Sequence, residues 1–306
     1  MTREIIKIII KKCLGHKKGE RLLIVCDDKF QVMAQAFYRT ARREGIEVTL
    51  LQMAPRRMHG EEPPEEVTAS LKTADMAILL TLMSLSHTRA RKTACAKFGT
   101  RIASLPGITP AILKRSIKIN YSSLKKKSEG LARRLTKGKS LELHTNKGTH
   151  LVMSIRNMRG FTDDGLYTKP GSFGNLPAGE SCIAPCEGTT NGRLIVDASA
   201  PLVGKVKRPV ELIIKDGLVQ NMPFGKIASL IKPLGRAARN IAELGIGLNP
   251  KAQVTGNILE DEKAKHTAHL AIGANISFGG NVSCPCHLDF VFFNPCILID
   301  GARLCV

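Results

Sequence analysis

The chain has 306 residues, of which 43% are apolar, with no Trp and only three Tyr. That length suffices for two domains and a sizeable core, and the apolar share is ordinary for a globular protein. No run approaches the ~20 apolar residues of a membrane-spanning helix, so no helical span is expected. The formal net charge of +20 is uneven: residues 1–150 hold 30 Lys+Arg against 13 Asp+Glu, residues 151–306 hold 16 against 13. A basic half raises the question of nucleic acid. Its runs (Lys11-Lys12, Lys17-Lys18, Arg42-Arg43, Arg89 to Lys92, Lys125 to Lys127) are dispersed, and few aromatic rings could stack on bases. Solvated faces are the main expectation; a nucleic-acid partner is kept as an alternative.

In chain order, MTREIIKIIIKKCLG alternates apolar and basic residues at helical spacing, with Glu4, Ile5, Ile8 and Ile9 fitting a docked helix. It has no small-residue cleavage site and reads as an amphipathic first helix rather than a signal peptide. Leu22 to Cys26, Ile46 to Leu50, Met76 to Leu80 and Arg101 to Leu105 read as strands. Between them, Phe30 to Glu44, with Val32, Ala36 and Ala41 on one face, and Thr88 to Lys97 read as helices. This alternation predicts a parallel sheet covered by helices on both faces. Asp27-Asp28 closes the first strand, where a helix N-cap is the plain expectation and a ligand site the sharper one. No GxGxxG and no GxxxxGK[ST] occurs, so a dinucleotide or P-loop site is not supported.

Tyr121 to Lys137 reads as a polar, basic helix leading to a boundary near 140. Beyond it the texture changes to short strands: Leu141 to His144, Leu151 to Ile155, Leu194 to Asp197, Val210 to Ile214 and Gly217 to Val219. A helical stretch, Gly225 to Ala242, interrupts them, and Pro233 should kink or split it. The expected fold is α/β: an N-terminal α/β/α parallel-sheet domain over 1–140 and a C-terminal strand-rich α+β metal-binding domain over 141–306.

The chemistry concentrates near the end. His269 and His287-Leu-Asp289 fall within 21 positions, on short apolar segments broken by Gly273, Gly279 and Gly280. Imidazole with carboxylate suits zinc, iron, manganese or cobalt better than calcium or magnesium. His287 and Asp289 are two apart, so on a strand both leave the same face. Glu180 and Glu243 could complete such a site. Plainer readings exist: Glu180 as a turn acid, Glu243 as a surface acid near a helix end, His269 as a core histidine, the His287/Asp289 pair as a structural hydrogen bond. His266 is a decoy three residues before His269.

Four segments in order, Pro177-Ala-Gly-Glu180, Ala242-Glu-Leu-Gly-Ile-Gly247, His269-Leu-Ala-Ile-Gly273 and His287-Leu-Asp289, resemble the thermophilic metalloaminopeptidases T and S. The resemblance is strongest from about 170 to 301. It implies metal ligation by Glu180, Glu243, His269, His287 and Asp289, two divalent ions (zinc, cobalt or manganese), a peptide substrate and a homodimer. Two metals sharing a carboxylate can hold a hydroxide for attack on a carbonyl, with Glu180 or Glu243 as bridge or base. The main expectation is therefore a metal-dependent hydrolase that removes N-terminal residues from peptides. Two features separate this chain from those peptidases. It is shorter, and the 17 residues between His269 and His287 include no Tyr. A related branch, typified by 2,5-dihydroxypyridine 5,6-dioxygenase, has similar segments and uses one iron(II) for ring cleavage. The ligands it implies here are Glu180, His269, His287 and Asp289. A basic nucleic-acid or partner-binding protein with a vestigial site is the third expectation.

Nine cysteines without a secretion signal point to reduced thiols in the cytoplasm. Cys182, Cys186, Cys284 and Cys286 lie beside proposed ligands, but CxxxC with CxC is a poor match to zinc spacing. Thiols lining the site, or ordinary buried thiols, are expected instead.

Overall fold

A computed structural model describes residues 2–304; Cys305 lies outside them. The chain is of mixed α/β class, with one parallel sheet and two antiparallel ones. It forms two compact units, Met1–Tyr121 with Gly165–Ala178, and Ser122–Asp164 with Gly179–Val306. These units differ from a single cut at 140/141, because the chain returns to the first unit for one more strand.

The first unit holds a five-stranded parallel sheet in the order Glu47–Met53, Arg21–Asp27, Met76–Leu80, Arg101–Ser104, Phe173–Asn175. Met76 to Leu80 is buried at every position, as a strand covered on both faces must be. Parallel neighbours need crossovers, and helices Gln31–Arg43, Glu65–Thr73 and Arg89–Phe98 supply them. The last begins at Thr88, whose hydroxyl accepts from the Arg91 amide, and ends at Gly99 in the left-handed region (φ +75). In the helix Gln31–Arg43 the expected face is only partly the buried one: Ala41 is buried and Ala36 half-buried. Val32, expected inward, is 85% exposed, whereas Ala34, Phe37, Thr40 and Ala41 face the core. A turn of 3-10 helix over Asp28–Phe30 precedes Gln31. Helix Glu65–Thr73 has no counterpart in the sequence reading.

The N-terminal helix runs as α over Arg3–Lys7 and widens to π over Ile8–Cys13. Its buried stripe is Ile5, Ile6, Ile9, Ile10, Cys13 and Leu14 rather than one that includes Ile8. Asp27 does not cap the following helix with its side chain. Its carboxylate accepts from the Leu82 amide at 2.5 Å, and Asp28 accepts from Gln52 Nε2 at 2.7 Å.

The second unit contains two seven-stranded sheets. One runs Leu218–Val219, Val210–Lys215, Asn191–Val196, His150–Ser154, Ser140–His144, Cys296–Ile299, Ala302–Arg303. The other runs Gly204–Lys205, Ser199–Ala200, His287–Phe293, Thr267–Gly273, Ile241–Gly247, Glu180–Ile183, Gly160–Asp163. Gly225 to Ala242 is not one helix. It breaks into an α-helix Gly225–Ile231 and 3-10 turns Lys232–Leu234 and Arg236–Arg239, with Pro233 in the first turn. Ile241 already belongs to a strand, so Glu243 sits within a fully buried strand and not near a helix end. Among the described residues no helix is long and apolar enough to cross a membrane.

Candidate metal centre

Four adjacent strands of the second sheet bring the predicted residues together. Paired residues of neighbouring strands share a face. Glu243, Ala271 and Asp289 therefore form one row, Cys182, Gly245, His269 and Val291 a second, Glu180 with Gly247 a third, and Gly273 with His287 a fourth. All five candidate ligands leave the same face. The intervening residues, Leu244, Ile246, Leu270, Ile272 and Phe290, point to the opposite face and are buried there.

This register explains why the motifs alternate as they do. His269-x-Ala271-x-Gly273 and Glu243-x-Gly245-x-Gly247 place one ligand and two small residues on the site face. The small residues are needed. A Cβ on Gly245 would lie 2.0 Å from His269 Cε1, and one on Gly273 would lie 2.2 Å from the Cys286 carbonyl oxygen. Gly179, before Glu180, has φ +131, and a Cβ there would meet Asn249 Cβ at 2.7 Å. A register shift between Ile241 and Glu243 aims the acid. Ile241 pairs with Ile272 on the core face and Glu243 with Ala271 on the site face. In a regular strand these two, being two positions apart, would point the same way.

The polar atoms converge. His287 Nε2 lies 3.0 Å from Glu243 Oε2 and 3.3 Å from Asp289 Oδ1. His269 Nε2 lies 3.7 Å from Glu243, 3.9 Å from Glu180 Oε2 and 3.9 Å from Asp289. Two overlapping groups, Glu243/His287/Asp289 and Glu262/His269/Asp289, have donor atoms within 4.8 Å of one another. His287 Nδ1 sits 2.9 Å from the Ala274 carbonyl; a proton on Nδ1 donated there leaves Nε2 free to ligate.

Three groups complete the surroundings; Lys263 and Phe278 have no counterpart in the sequence reading, and Cys182 is among the thiols expected to line the site. Lys263 is buried and ion-paired to Glu180, to Glu262 at 2.7 Å and to Asp163 at 3.9 Å. It lies in Glu260-Asp-Glu-Lys263, a charged run whose four residues are all buried. Cys182 lines the site face beside Gly245. Phe278 stacks on His287 with ring centroids 5.4 Å apart, and Phe161 meets Phe278 edge-on. Glu187 holds this covering loop by accepting from the Asn281 amide at 2.6 Å and from Asn275 Nδ2 at 3.0 Å. The decoy His266 is exposed, in a turn with φ +70. No cysteine joins a metal-ligating group among the described residues. Cys284 and Cys286 lie with sulfurs 3.3 Å apart, and the Cys186 thiol donates to the Arg156 carbonyl.

The site packs ionisable groups densely. Glu180, Glu243, Asp289 and Glu262 face Lys263 and two imidazoles. Burial opposes the charge on His269, yet Glu243, Glu180 and Asp289 outweigh it and raise its pKa to about 9. Burial likewise opposes the charge on His287, and Asp289 and Glu243 overcome it, so its pKa is raised well above the ordinary value. Burial raises Glu262 to about 8, with Asp289 and Glu180 adding to it against Lys263. Glu243 is held below the usual carboxylate range: burial works against its charge, and hydrogen bonds from both imidazoles prevail. Burial pushes the Cys182 thiol up, and Glu243 and Glu180 push it further. Buried Glu180 Oε2 and His269 Nδ1 have no hydrogen-bond partner. An orphaned carboxylate oxygen facing an imidazole, in a buried pocket lined by further carboxylates and a second imidazole, fits a divalent cation that takes the place of the imidazole protons.

Comparison with known proteins agrees with one of the expectations and overturns another. The family model for NicX, 2,5-dihydroxypyridine 5,6-dioxygenase, matches residues 10–306. A 2,5-dihydroxypyridine 5,6-dioxygenase of Pseudomonas putida (strain KT2440) is 25% identical over 248 residues, covering 76% of this chain and 69% of that one. The solved 2,5-dihydroxypyridine dioxygenase from P. putida KT2440 superposes with a TM-score of 0.84 at 19% identity, over 99% of this chain and 95% of that one. Wild-type AmpT from Thermus thermophilus superposes with a TM-score of 0.73 at 16% identity, over 99% and 96%. The last likeness is one of fold alone. The expectation of a hydrolase, an aminopeptidase acting on peptides, is thereby corrected, since family and curated relative both carry the dioxygenase name. In this chain the four segments lie on one face of one sheet. With the match running from residue 10 to the end, the chain belongs to the 2,5-dihydroxypyridine 5,6-dioxygenase (NicX) family of enzymes.

Proposed function

We propose that this protein is an iron(II)-dependent ring-cleaving dioxygenase acting on a hydroxylated pyridine, with 2,5-dihydroxypyridine as the first candidate. The observation that carries the reading is the convergence of two imidazoles and carboxylates on one face of one sheet. Two histidines and a carboxylate with open positions are the donor set of non-haem iron(II) oxygenases. Glu180, His269, His287 and Asp289 would hold a single ion. Bound iron(II) supplies the redox chemistry by which dioxygen reacts with an aromatic ring.

The residues of the chain do the rest. Lys263 holds Glu180 by one oxygen and leaves Oε2 directed toward His269. The Ala274 carbonyl orients His287. Glu243, between the two imidazoles, is a carboxylate kept ionised and is placed to accept the proton of a ring hydroxyl at Oε1 or Oε2. Phe278 over His287 forms an apolar wall suited to a flat ring and limits water.

The test is oxygen consumption by protein loaded with iron(II) without air, then mixed with 2,5-dihydroxypyridine in air-saturated buffer. One dioxygen per ring, with both ¹⁸O atoms from labelled dioxygen in the opened product, is expected. Folded, iron-loaded protein that consumes no oxygen with this ring or its hydroxylated relatives overturns the reading.

A further inference from the structure

We propose a second transition-metal site, remote in sequence from the first, at Glu142, His144 and His150. These residues lie on the other seven-stranded sheet, on the hairpin formed by Ser140–His144 and His150–Ser154. His144 pairs directly with His150, and Glu142 is two residues from His144 on the same face. The alternate residues Leu141, Leu143, Leu151 and Met153 are buried on the opposite face. The three donors thus stand together on the outer face of a rigid, core-anchored ribbon.

Their geometry is that of a ligand set. Both imidazoles present Nε2 to one carboxylate oxygen, Glu142 Oε1, at 2.8 Å from His144 and 3.3 Å from His150. Donors around a four-coordinate zinc with bonds of 2.0–2.2 Å are about 3.3 Å apart. The donor atoms of all three residues lie within 4.8 Å of one another. The two rings stack at 4.7 Å with planes 13° apart, which holds both nitrogens toward the acid. The nearest cation in the row, Arg193 opposite His150, is turned away: its Nε donates to the Gly148 carbonyl at 2.9 Å. Two imidazoles and a carboxylate favour zinc, nickel or copper(II) over calcium or magnesium. Side-chain exposures of 40–55% leave open positions to water. The ion would clip the two strands beside the 145–149 turn.

The inference does not depend on the proposed dioxygenase reaction, and its test separates the two. Full-length wild type, His144→Ala, His150→Ala and His287→Ala are dialysed against zinc buffered near about 1 µM free ion, and bound zinc is counted per chain. Wild type should carry one zinc more than His144→Ala or His150→Ala. His287→Ala should keep that zinc, and zinc should raise its Tm, since a ligand that binds only the folded state stabilises it. Glu142→Gln should weaken binding at least tenfold. Oxygen consumption by the iron-loaded His144→Ala and His150→Ala proteins should equal that of wild type. Equal zinc content in wild type and both surface variants, or uptake only at concentrations where all four proteins load alike, overturns the site.

Discussion

Two clusters of the same residue types sit on the two antiparallel sheets, and their difference is one of burial. Glu243, His269, His287 and Asp289 stand over a floor of Ala271, Gly245 and Gly273, largely out of water. Glu142, His144 and His150 stand on an open face, half in solvent. In the first, each charge feels its neighbours with little screening, so acids and imidazoles displace one another's proton equilibria strongly. In the second, water and salt screen the same groups. A buried set demands a compensating cation and can exclude solvent from a reaction; an exposed set can take an ion or leave it, with little consequence for the fold.

That contrast can be broken at several points. The largest expected effect is at the buried ligands: His287→Ala or Asp289→Ala should abolish stoichiometric iron binding and bring oxygen consumption to background, while His150→Ala leaves both unchanged. Metal analysis and an oxygen electrode read this; wild-type turnover in Asp289→Ala would remove that residue from the centre.

Next is Lys263→Met. It removes the buried cation that faces Glu180, Glu262 and Asp163. Leaving buried charges unpaired costs about 3–5 kcal/mol, to be seen as a lower urea midpoint. A change under about 1 kcal/mol would mean that protonation of Glu262 absorbs the loss.

Gly245→Ala is a steric probe. The new methyl would occupy the place of the His269 ring, 2.0 Å from Cε1. Displacing a ligand's orientation costs about 10–100-fold in metal affinity, and competition with a chelator measures it. Unchanged affinity would show that the imidazole has room to move.

The mildest effects belong to exposed groups. Hydrogen bonds from the Asn281 amide and Asn275 hold the Glu187 carboxyl below its ordinary range, against its partial desolvation. The order it imposes on the 275–282 loop is then fully present above the ordinary carboxylate value of about 4.3 and is lost as pH falls through the lower, folded one. Amide hydrogen exchange at Asn281 and Val282 should accelerate in that acid window, and Glu187→Gln should show the faster exchange at neutral pH. In metal-free buffer, His150→Ala should shift stability by no more than about 0.5 kcal/mol.

How much is legible in the sequence varies with how local the cause is. Strand Met76 to Leu80 and helix Tyr121 to Lys137 are legible at their full extents, since continuous apolarity and helical spacing are properties of the segment itself. Helical spacing misplaces Val32 because the face that is buried is chosen by packing against the sheet, on which Ala34, Phe37 and Ala41 lie. The strand bearing Glu243 reads as a helix end, because alternating Glu, Gly and Gly on one face resembles no amphipathic pattern until the site above it is known. Glu260 to Lys263 have no counterpart in the sequence reading, because their burial rests on pairing with one another, with Glu180 and Asp163, and with the amides of Gln253, Thr255 and Gly256.

The sequence by itself determined the class of the fold and the parallel first sheet, because periodicity is carried by single segments, while its resemblance to known metalloenzymes singled out the five donor side chains that converge. The tertiary structure alone decided that Lys263 and Glu262 join those donors, that a bulge at Ala242 turns Glu243 toward them, and that His144 and His150 meet across a hairpin. Those facts depend on register and burial, which arise from pairing between strands distant in the chain.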